Sequence, residues 1–246
     1  MRRYSWQIAL GLSLLMASVV LYLIHYAIFR DAHHIFLYLV GDIAFLPIQV
    51  LLVTLIISGL LEKRERVARM DKLNMVIGVF FSEVGTQLLA YLSDFDPGLG
   101  SIKQELIVNG EWSDQEFARV ARRLKNHNYA VDIGRVRLED LRGFLIGKRN
   151  FLLSLLENQS LLEHEAFTDL LWAILHLTEE LASRKDLSQL PQSDLDHLAG
   201  DSKRAYGLLV RQWLDYMKHL KESYPYLFSL AMRTNPFDES ASVIVG

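Results

Sequence analysis

The chain has 246 residues, 51% of them apolar, a formal net charge of −3 and no cysteine. That composition excludes disulfides, iron–sulfur clusters, thiolate zinc sites and cysteine nucleophiles, so any metal site has to be built from His, Asp and Glu. The charge balance lacks the basic excess of a general nucleic-acid binder. The apolar residues crowd into the first sixty positions, which leaves the chain from about Glu62 onward with ordinary soluble composition and enough length for a core of its own.

Arg2, Arg3 and Tyr4 precede an apolar run over residues 7–29 that holds no Asp, Glu, Lys or Arg, and roughly 20 such residues match the thickness of a bilayer's hydrocarbon core. The run is too long for the apolar region of a cleaved signal, and no small-x-small cleavage site follows it, so it reads as an uncleaved anchor. Ala9, Ser13 and Ala17 recur every four residues and give it a narrow face that another helix can approach closely. A short polar turn, residues 30–34, leads to a second apolar run over 35–61. Two spans joined so briefly form an antiparallel hairpin. Lys63, Arg64, Arg66, Arg69 and Lys72 beyond the second span join Arg2 and Arg3 on one side, against Arg30 alone in the turn. The bias places both termini in the cytoplasm and makes the chain a multi-pass protein of the cell (inner) membrane, with the lipid bilayer as its first partner.

Asp42 is the most informative residue of the second span, because an ionisable group at that depth costs about 2.5–3.5 kcal/mol on insertion scales and has to face protein or water. Gln49 follows seven residues later on the same face, and Pro47 between them predicts a kink or hinge that frees a backbone carbonyl. In an antiparallel hairpin Asp42 lies level with Tyr22, and Ser18, Tyr22 and His25 share a face of the first span. A Tyr22–Asp42 or His25–Asp42 hydrogen bond would satisfy the carboxylate within one chain. The alternative places Asp42 and Gln49 on the axis of a homo-oligomer, where a ring of carboxylates selects cations.

Residues 62–72 alternate in sign and suit a solvated helix leaving the membrane. Val67, Met70, Leu73, Ile77, Phe81, Val84, Leu88 and Tyr91 then recur at steps of three and four, an amphipathic stripe in want of a partner. A third span over 73–92 is the competing reading, and Asn74, Ser82, Glu83, Thr86 and Gln87 make it expensive in lipid. The turn over residues 94–101 ends this exit helix. Ser113 and Glu116 form a capping box that opens a helix to about Asn126. Residues 130–136 have an ambiguous pattern compatible with an extended segment, and helical spacing returns at Glu139 with a weak point at Gly147.

Ser160 begins a helix that is apolar around most of its circumference. On one face of it Glu165, Asp169, Trp172, His176 and Glu179 or Glu180 fall at steps of three and four, the best candidate for metal chemistry in the chain. The paired Glu-x-x-His of helical di-metal sites is missing: His164 follows Glu163 directly, and Asp194-x-x-His197 has the spacing with the shorter acid. A satisfied polar stripe or an interface is the plainer reading of the same face. A last long helix spans about 193–222, residues 224–226 break it, 227–232 add one more segment, and Asn235-Pro236-Phe237 is a turn in the tail. That tripeptide also matches, in a string short enough to be chance, one bound by certain endocytic adaptor domains.

The sequence thus predicts an all-α protein: a transmembrane hairpin over 1–61, an exit helix over 62–93, a cytoplasmic helical domain over 94–233 and a tail over 234–246. It carries no phosphate loop, nucleophile elbow, His-Glu-x-x-His motif or other cofactor signature. The leading functional expectation is a non-enzymatic, membrane-anchored helical module that assembles with itself or binds a protein partner. A homo-oligomeric ion channel lined by the second span is the alternative, and an enzyme with a metal site around Asp169 and His176 the third.

Overall fold

Every regular element among the described residues is a helix. The computed structural model describes residues 2–158, 161 and 164–244, with side chains for all of these except 2–5, 7 and 66–69. The chain divides into two units, Met1–Arg66 and Val67–Gly246. The exit segment expected as a separate element therefore belongs, from Val67 on, with the helical domain.

The first unit contains α1 (Arg2–Phe29) and the beginning of α2 (Ala32–Phe80). The connection is two residues long, shorter than the five-residue turn the sequence suggests. Arg30 closes α1 with φ 50° and its amide N–H donates to Tyr26 O at 2.8 Å, and Asp31 Oδ1 accepts from His34 N at 3.1 Å, so Ala32, His33 and His34 start the next helix behind a carboxylate cap. Pro47 lies inside α2, which runs through it; lacking an N–H, it leaves Ile43 O without its helical donor. None of the described side chains of this unit is buried, and Leu14, Leu15, Met16, Leu21, Phe29, Phe36, Val40 and Ile56 are among those left exposed.

The second unit has a core that begins at Leu73. After α2 come a π-helical segment (Phe81–Gly85), α3 (Thr86–Ser93), two short 3₁₀ turns, α4 (Asp114–Lys125), α5 (Leu138–Leu156), α6 (Glu165–Ser183), α7 (Gln192–Ser223) and α8 (Pro225–Arg233). The long α7 is the hub: it packs against α3, α4, α6 and α8, and α5 packs on α6. Leu198, Leu209, Trp213 and Met217 of α7 are buried accordingly. The amphipathic stripe finds its partner here. Leu73, Ile77, Phe81, Val84 and Leu88 are buried, joined by Phe80, Leu89 and Leu92, while Met70 is exposed and Val67 lies outside the described side chains. Phe80 meets Phe167 edge-on and Phe81 stacks on Tyr216, so the apolar face of 73–92 is occupied within the domain.

The capping box at Ser113 and Glu116 forms as the sequence implies. Residues 130–136 are irregular, not extended into a ladder; they are held by Asp132 N donating to Phe95 O at 2.8 Å. Gly147 does not interrupt α5. The expected start at Ser160 lies outside the described residues; the described helix opens at Glu165, where His164 Nδ1 accepts from Phe167 N. Asn235-Pro236-Phe237 is not displayed. Asn235 Nδ2 donates to Leu106 O at 2.9 Å, its Oδ1 accepts from Phe237 N, and Phe237 is buried edge-on against Trp213.

Candidate functional site

Residues four apart on a helix stand one above the other, so His176 with Glu180 on α6 and His197 with Asp201 on α7 each make a short ladder of one imidazole and one carboxylate. Because α6 and α7 pack together, the two ladders meet. His176 Nε2 lies 3.4 Å from Asp201 Oδ2 and 3.9 Å from Glu180 Oε1. His197 Nε2 lies 3.4 Å from the same Asp201 Oδ2 and 3.6 Å from Glu180 Oε2. One ligand-capable atom from each residue falls within 4.8 Å of all the others, the one such group among the described residues.

The electrostatics of the group are asymmetric. Asp201 is 4% exposed, its Oδ2 is buried without a hydrogen-bond partner, and its Oδ1 has Arg204 Nη1 at 3.6 Å. Glu180 is held from outside: Arg184 Nη1 donates to Oε2 at 2.8 Å, while Arg184 Nε and Nη2 grip Asp194 at 2.7 and 2.6 Å. That guanidinium fork keeps the Glu180 and Asp194 carboxyls below their ordinary range, chiefly through its hydrogen bonds, and is itself pushed further up. The two imidazoles sit at the rim, about half exposed, so the group combines a dry carboxylate floor with solvent access.

The residues singled out by sequence separate on this geometry. Glu165, Asp169, Trp172, His176 and Glu179 do share one exposed face of α6. His176 joins the group, and so do Glu180, the stripe's other candidate for its last position, and His197, singled out for its spacing from Asp194. Glu179 turns to Arg149 Nε at 2.8 Å, and Asp194 serves the Arg184 fork. Glu163 lies outside the described residues. Asp201 was not legible as a partner, since nothing in a linear pattern fixes which turn of α7 faces His176. A signal was available all the same: a His followed four residues later by an acid occurs on each of two successive helices.

In the first unit, Tyr22, His25 and Asp42 line one groove of about 610 Å³ together with Ala17, Ser18 and Tyr38. No hydrogen bond joins Asp42 to Tyr22 or His25 among the described interactions, and His25 Nδ1 is buried without a partner. Gln49 is exposed and lies outside the groove.

Comparison with known proteins covers the chain in two parts. A family described as "MJ1433, N-terminal helical domain" matches residues 2–61, and one described as "Uncharacterized protein MJ1433, C-terminal helical domain" matches residues 69–233. "Uncharacterized protein MJ1433" of Methanocaldococcus jannaschii is 44% identical over 239 residues, which cover 97% of this chain and 96% of that protein. No solved structure matches. Two helical domains in the same order, aligned almost end to end with that relative, identify the chain as a member of the MJ1433 family.

Proposed function

We propose that the chain is a non-enzymatic, membrane-anchored helical protein whose first unit is a transmembrane hairpin and whose second unit is a cytoplasmic domain that assembles with itself or a protein partner at the membrane face. The observation that carries this reading is the exposure of the first unit: two helices long and apolar enough to cross a bilayer, with no described side chain buried. In water so large an apolar surface would aggregate; in lipid it is at equilibrium. The basic residues Arg2, Arg3, Lys63, Arg64, Arg66, Arg69 and Lys72, against a lone Arg30 in the connection, support an orientation with both termini in the cytoplasm.

Within this reading Asp42 serves the hairpin. Its place in a groove with Tyr22 and His25, away from Gln49, supports polar attachment between the two helices of one chain over a carboxylate ring on an oligomer axis. Fractionation tests the anchor: the full-length protein should stay in the membrane pellet through an alkaline carbonate wash, and release into the supernatant would overturn the reading. Mass measurement in a lipid nanodisc tests the assembly. A ring of four or more chains whose cation flux changes in Asp42→Asn would replace the anchor reading with the channel.

A further inference from the structure

We propose that His176, Glu180, His197 and Asp201 bind one divalent transition-metal ion of the zinc class, clipping α6 to α7. Two ligands bonded to a tetrahedral metal at about 2.0–2.1 Å stand roughly 3.4 Å apart. Both imidazole contacts to Asp201 Oδ2 measure 3.4 Å, two edges of a tetrahedral site; the Glu180 carboxylate stands with Oε1 3.9 Å from His176 and Oε2 3.6 Å from His197, and one donor atom of each of the four residues lies within 4.8 Å of the others.

A plain network of protonated histidines and carboxylates is the competing account, and the buried oxygen decides against it. Asp201 Oδ2 has two imidazole nitrogens at hydrogen-bonding range yet neither contact has hydrogen-bond geometry, which leaves a nearly fully buried carboxylate oxygen unpartnered. Such an orphan is costly unless a cation sits where the nitrogens and the oxygen converge. Two neutral imidazoles and two carboxylates carry charge that one M²⁺ neutralises, and the donor set favours zinc, cobalt, nickel or iron over magnesium or calcium. Arg184 supplies the outer support: by holding Glu180 Oε2 it leaves Oε1 to turn inward, the role that partners of ligating carboxylates play in metal sites. Four protein ligands close the coordination sphere, which assigns the ion to structure instead of to activation of a water.

The test is titration of the chelator-treated full-length protein in detergent with Zn²⁺, and with Co²⁺ as a spectroscopic stand-in. The expected result is one ion per chain, the intense visible absorption of tetrahedral Co²⁺, and a rise in the thermal midpoint. His197→Ala should weaken binding by more than about 100-fold, since even the outer partners of ligands are worth about 10- to 100-fold. That imidazole is half exposed, so the variant should keep its helical circular dichroism. Glu179→Gln, on the same face of α6 but turned to Arg149, should bind as the wild type does. Failure of the wild type to take up a stoichiometric ion, equal affinity in His197→Ala, or the weak absorption of octahedral Co²⁺ would overturn the proposal.

Discussion

Arg184 acts on pH dependence through two carboxylates, Glu180 within the metal-ligand group and Asp194 beside it. Glu180 has its folded-state pKa lowered, first by the Arg184 hydrogen bond, so the unfolded chain binds more protons as acid is added. The stabilisation is complete above the ordinary carboxylate range and is lost as pH falls through the lowered value. Arg184→Gln should therefore flatten the acid limb of a stability-versus-pH curve below about pH 5, as followed by urea midpoints. His219 acts at higher pH. Asn74 Nδ2 donates to its Nδ1 at 3.0 Å, and burial lowers its pKa by disfavouring the charged ring. Stability should fall as pH drops below about 6.5 and level off once the lowered value is passed. His219→Gln keeps an acceptor without a titrating ring and should remove that loss; an unchanged slope would show that another group is responsible.

At the scale of elements, the π-helical segment explains both a sequence success and a shortfall. The three–four spacing from Leu73 to Leu88 is readable, and those residues are buried. The π-helical turn over Phe81–Gly85 adds one residue to the helix phase, and Leu89 is buried next to Leu88 beyond it, which no periodicity count foresees; Phe80, three residues after Ile77, and Leu92, four after Leu88, follow the ordinary helical spacing. Gly85 makes the π-helical turn possible: a Cβ there would lie 2.6 Å from Phe81 Cδ1 and 2.7 Å from Phe80 Cε1, rings wedged against Tyr216 and Phe167. Gly85→Ala should destabilise the domain by about 1–3 kcal/mol, the usual range for overpacking, measurable by denaturant unfolding. Asn235 is the other point where local reading stopped short. The sequence marks a turn but cannot show that the side chain reaches Leu106, far away along the chain. Asn235→Ala leaves a carbonyl and the Phe237 amide unpaired in the interior and should cost about 1–3 kcal/mol. The register of α6 against α7 was illegible for the same reason, and it is what separates Asp201 from the residues the stripe on α6 suggested.

At the scale of the whole molecule, the burial among the described side chains lies in the second unit. Among the described side chains the buried apolar residues lie at Leu73 or beyond, so the segment from Val67 onward should fold when expressed without residues 1–66, as a helical species with one cooperative unfolding transition. A molten, non-cooperative product would mean that the first unit contributes to the core. The all-helical class and the concentration of apolar residues at the N-terminal end were legible because both are local properties of composition and spacing. The central place of α7 was not, because its partners are set by contacts across the whole domain. That centrality bears on biosynthesis. Translation delivers α3, α4 and α6 first, and on each the surface that meets α7 stays unpaired until residues 192–223 emerge. The domain is therefore built to fold late, and nascent chains arrested before α7 should be the form most readily cut by protease and most dependent on chaperones.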